Sequence, residues 1–104
     1  MVEITEKDWR LFKEKLPYWQ ERHMENLNRE YIKILSGAGL ASEKFWALEK
    51  QINQDKRDSG VIVEMKRSNV FSCIVDLLKR GIITKKDLEG FSDDLTVAVT
   101  YIYG

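Results

Sequence analysis

The sequence predicts an all-α fold, a small antiparallel helical bundle of four principal helices plus a short helical turn. Three observations carry this reading. Pro17 is the only proline and there are six glycines, so long stretches lack chain breakers. Apolar residues recur at spacings of three and four rather than two. At 104 residues, 43% apolar and 33% charged, the chain reads as a single domain over 1–104, long enough to bury a core without disulfides or metal.

The first helix begins near residue 6, where Thr5 and Asp8 form a variant capping box with the acid in the positive first turn. Trp9, Phe12, Leu16, Trp19, His23, Leu27, Tyr31, Ile34 and Leu35 then make one apolar stripe up to Gly37. Pro17 lies within it, removing one amide hydrogen bond and crowding the Lys13 carbonyl, which predicts a kink or a split. A straight helix over 6–36 would be roughly 46 Å long, against a radius of gyration of ~13 Å for a compact domain of this size. Either Pro17 folds the helix back, or its N-terminal end projects and needs a partner.

Ser42 is the expected cap of a second helix with Phe45, Leu48 and Ile52 on one inward face. A third helix is expected from about Val61 to Arg80, closed by Gly81. A helical turn over 85–90 and a last helix over 93–103, with Leu95, Ala98, Val99 and Ile102 inward, complete the chain.

The corner "RGIITKKDLEGFSDDL" has the sound of two functional devices. As a helix-turn-helix with Gly81 as turn glycine, it puts Leu77 at the helix crossing and Asp87 and Gly90 where apolar residues should seat the second helix. With Gly90 as turn glycine, the reading helix would start at Ser92, Asp93 and Asp94, turning carboxylates toward phosphate. As a calcium loop with Gly81 at position six, it places Leu78 and Arg80 where oxygen ligands belong. A structural corner uses every residue: Gly81 stops a helix, Thr84 with Asp87 starts a turn, and Ser92 caps the last helix.

No catalytic residue, cofactor or metal site is expected. The single histidine, His23, lies on the apolar stripe, and one His with one Cys cannot make a zinc set. Cys73 reads as a small buried thiol. No GxSxG elbow or phosphate-cradling glycine loop is present.

Formal charge is zero but uneven: nine bases and ten acids in 1–55, eight and three in 56–86, none and four in 87–104. Lys66, Arg67, Lys79, Arg80, Lys85 and Lys86 form a candidate basic patch within the middle stretch, for nucleic acid or an acidic protein surface; a solvated helix face explains the same pairs. Leu11, Tyr18, Trp46, Val97 and Tyr101 miss the core stripes. They form a candidate interaction surface, unless the core wraps more than one face of each helix.

Taken in order, "TEKDWRLFKEKLPYWQERHMENLNREYIKILS", "EKFWALEKQI" and "GIITKKDLEGFSDDL" resemble a family of short helical proteins from Firmicutes and their mobile elements. Some of these carry a "multidrug transporter" label, which fits no apolar run in this sequence. The resemblance implies neither a mechanism nor site residues. With no signal-like N-terminal run, the expectation is a soluble, cytoplasmic, non-enzymatic interaction or regulatory module that associates with itself or another protein. A nucleic-acid-associated regulator using the basic 56–86 region is the alternative, disfavoured by the acidic tail. A mobile-element inhibitor of a host protein is the third reading.

Overall fold

The computed structural model describes residues 3–103. It is all-helical: α1 (Glu6–Ser36), α2 (Ala41–Asp55), α3 (Val70–Lys79) and α4 (Asp93–Tyr103), with short 3-10 turns at Arg67–Asn69 and Lys85–Leu88. Extents of 52 × 24 × 20 Å and a radius of gyration of 16.5 Å make it elongated. That figure exceeds the ~13 Å of a compact domain of similar length.

The elongation comes from α1. It runs as one helix of 31 residues with Pro17 inside, so the expected split does not occur. Lys13 and Pro17 both lie on its exposed side, where water can donate to the Lys13 carbonyl in place of the amide that proline lacks. The end that projects is the C-terminal one, opposite to the expectation. Phe12, Leu16 and Trp19 are the bulky part of the stripe, and they are buried against Val70, Ile74, Leu77, Leu95 and Val99 of α3 and α4. Beyond Trp19 the stripe continues with His23, Leu27 and Tyr31, which are only half-buried. Here α1 is met by α2, which returns along it as a two-helix arm over 25–56.

A buried carboxylate fixes α1 to the base. Asp8, fully buried, accepts hydrogen bonds from Ser92 N (2.8 Å) and Ser92 Oγ (2.6 Å), while its own amide donates to Thr5 Oγ1 (3.1 Å). Ser92 Oγ in turn accepts from Leu95 N at 3.3 Å, so one serine caps α4 and joins it to the start of α1. The corner follows its structural reading: Gly81 and Gly90 adopt φ of +71° and +94°, and Thr84 N donates to Asp87 Oδ2 at 2.8 Å.

The third helix is shorter than expected. Val61 lies in a turn and residues 62–66 are in no helix, with Val61 and Val63 half-buried and Ile62 and Glu64 exposed. Asn69 Nδ2 donates to the Glu64 carbonyl, and Arg67 reaches the Ile4 carbonyl at 2.6 and 2.9 Å, tying this strap across the base. Three inward expectations also change: Ile102 is half exposed, and Phe45 and Ile52 on α2 face solvent. Ser42 is not the cap of α2; Leu40 N donates to Glu43 Oε1 at 2.9 Å instead.

Candidate functional site

The arm exposes a group of large apolar side chains. Ile32, Leu35, Leu40, Phe45, Trp46 and Ile52 are all between 40% and 68% exposed, and no residue of α2 is buried. Phe45 and Trp46 pack edge to face at 4.9 Å, forming one aromatic unit in solvent. The α1–α2 seam is partly polar: Tyr31 Oη donates to Asp55 Oδ2 at 2.7 Å, and Gln51 donates to the other oxygen at 3.1 Å. Burial and this bond to a carboxylate push the Tyr31 hydroxyl up to about 12. A cleft of about 430 Å3, lined by Leu27, Ile34 and Gln51 among others, opens between the two helices.

A second surface lies at the other end of α1. An open groove of about 840 Å3 is lined by Phe71 of α3, by Val97, Ala98, Tyr101 and Ile102 of α4, and by Thr5. Val97 is 68% and Tyr101 85% exposed. Glu3, Asp93 and Asp94 complete the lining, and among the described residues none of these acids is in an ion pair.

The residues expected to share one surface are therefore distributed. Trp46 lies on the arm, Val97 and Tyr101 line the groove, and Tyr18 stands exposed on α1. Leu11 belongs to none of these. It is half-buried against the core, and its Cδ2 lies 3.2 Å from where a Cβ on Gly90 would stand. Ile32, Leu35 and Leu40 carry no such mark in the sequence: Leu35 lies on the core stripe itself, Ile32 is a lone apolar residue beside it, and Leu40 falls in the loop before α2.

The basic residues do not converge either. Lys66 and Arg67 lie before α3, Lys79 and Arg80 at its far end. Arg67 pairs with Glu6 (3.0 Å), Lys66 with Glu64 (3.0 Å), and Arg80 with Asp76 (3.0 Å) and Asp58 (3.7 Å). Lys85 lies over the Tyr103 ring at 5.9 Å, and Lys86 lines a polar hollow with Lys15, Arg22 and Asp87. Local acids thus offset much of the charge that phosphate would have to find.

Where arm meets base, a polar joint forms. Ser59 Oγ donates to Asp76 Oδ2 (2.5 Å), Arg80 Nε donates to the same carboxylate, and Gln20 Nε2 donates to the Ser59 carbonyl (3.2 Å). Burial would raise the Asp76 carboxyl, but the hydrogen bonds from Ser59 and Arg80 hold it below the ordinary range. His23 Nε2 is buried without a hydrogen bond, 3.5 Å from Asp58. A nucleophilic pair needs serine and histidine in mutual reach, whereas here each faces its own carboxylate. Burial, with Asp76 nearby, pushes the Cys73 thiol up to about 12, the opposite of a reactive cysteine. Among the described residues no group of three or more His, Cys, Asp or Glu could hold a metal ion, and no helix is long and apolar enough to cross a membrane.

Compared with protein-family models, curated proteins and solved structures, the chain matches none.

Proposed function

We propose that the protein is a self-associating interaction module in which the arm of one copy packs against the arm of a second. The observation that carries this reading is that α2 buries no side chain while the arm exposes Ile32, Leu35, Leu40, Phe45, Trp46 and Ile52. A two-helix hairpin has one seam and cannot enclose a core; two hairpins face to face make four helices with an interior. Charge favours a like partner. Residues 25–56 carry five bases and five acids, so two arms meet without net repulsion. A twofold pairing also needs only one self-complementary surface.

Light scattering and sedimentation over a range of concentrations test the reading. The native chain is expected to be a dimer and the Trp46→Glu variant a monomer with unchanged helical content. A native chain that stays monomeric at high micromolar concentration would remove the proposal.

A further inference from the structure

We infer that the groove beside α4 docks a helix of an unlike protein, one that carries lysine or arginine beside bulky apolar side chains. The groove lies at the opposite end of α1 from the arm tip, so this inference stands whether or not the arms pair. Its volume of about 840 Å3 and its apolar lining suit a few inserted side chains rather than a flat contact. Val97 and Tyr101 sit one helical turn apart on α4, as do Ala98 and Ile102, which gives the groove two parallel apolar ridges.

Charge selects the occupant. Glu3, Asp93 and Asp94 border the ridges, and α4 itself contains no base. An acidic partner would be repelled here, and a neutral one would leave these carboxylates without a counter-charge. The chain's own arm is a poor match for this border: α2 carries Lys44 and Lys50 but also Glu43, Glu49 and Asp55, and so brings no positive excess. A separate basic, amphipathic helix meets both requirements, placing apolar side chains between the ridges and cationic ends on the acids.

The test uses the full chain, labelled for amide NMR, and two synthetic helical peptides with identical leucine faces, one with lysine and one with glutamate on the polar face. The lysine peptide is expected to shift resonances of Phe71, Val97, Ala98 and Tyr101, and the glutamate peptide to leave them in place. Glu3→Gln with Asp94→Asn is expected to weaken lysine-peptide binding roughly tenfold, the modest loss that two exposed charge contacts give. Val97→Lys, at an exposed position that leaves the fold intact, is expected to abolish it. Equal binding of both peptides, lysine-peptide shifts confined to the arm, or groove shifts that follow protein concentration without peptide would each overturn the inference, the last by making a second copy the occupant.

Discussion

The two halves of α1 belong to different kinds of structure. From Asp8 to Trp19 the helix gives four buried side chains to the base, Asp8, Phe12, Leu16 and Trp19; from Leu27 to Ser36 it gives none to the arm. The backbone is helical from Glu6 to Ser36, so the difference lies in what the neighbours supply. In the base, α3 and α4 surround the stripe with Val70, Ile74, Leu77, Leu95 and Val99. In the arm a single helix returns, and its largest side chains face solvent. Helical periodicity therefore marks which side of a helix is apolar, while burial depends on how many elements come to meet it.

The largest expected effect sets two phenylalanines against each other. Phe12→Ala in the base is expected to cost about 3–5 kcal/mol in denaturant unfolding, as large core truncations do. Phe45→Ala in the arm of the monomer is expected to stay within about 0.5 kcal/mol, in the range of exposed positions. Equal costs would break the distinction between the two regions.

Next comes the buried clamp. Asp8→Ala leaves the Ser92 amide and hydroxyl without their acceptor, and about 2–3 kcal/mol of stability should go with it. In the arm, Tyr31→Phe removes only the hydrogen bond to Asp55 and should cost about 0.5–1 kcal/mol. Parallel urea titrations of the two variants rank the clamps directly.

The joint gives an intermediate effect. A Cβ on Gly60 would lie 2.3 Å from His23 Cδ2 and 2.9 Å from Ile82 Cδ1. Gly60→Ala is expected to cost about 1–2 kcal/mol, toward the low end for overpacking because the half-buried His23 ring can turn aside. Histidine ring resonances should shift, and unmoved ones would mean that the approach is less close than described.

The smallest effect concerns pH. Burial would raise the Asp87 carboxyl, yet hydrogen bonds from Arg22 and Thr84 hold it below its ordinary value. The stability it contributes is therefore present above the ordinary carboxylate range and lost as pH falls through the lower folded value. Because the Arg22 side chain is half exposed, the expected amount is below about 1 kcal/mol. Asp87→Asn should flatten the acid limb of the stability curve in proportion; an unchanged limb would assign acid sensitivity to other carboxylates, Asp76 among them.

Local signals were readable from the residues alone. Thr5, Thr84 with Asp87, and Ser92 start helical segments as their hydroxyl and carboxylate chemistry dictates, Gly81 ends one, and α4 spans the expected 93–103. Contacts between distant segments were not readable. Asp8 reads as a first-turn acid, and nothing in its neighbourhood points to Ser92, 84 residues away. The β-branched Val61–Ile62–Val63 run could have signalled extended chain, but it precedes a strong helical pattern and was absorbed into it. For the candidate surfaces, Trp46, Val97 and Tyr101 were marked by missing a stripe. Leu35 follows the stripe of α1 and Ile52 the expected inner face of α2, and both are exposed because no third helix arrives.

The continuity of α1 has a mechanical meaning. Through α1, arm and base are joined by helix and not by a loop; they are the two ends of one lever, pinned where Gln20 and His23 meet Ser59 and Asp58. A load at the arm tip meets no loop along α1. A stiff helix would carry it as torque to Phe12 and Trp19, the side chains that seat α1 in the base.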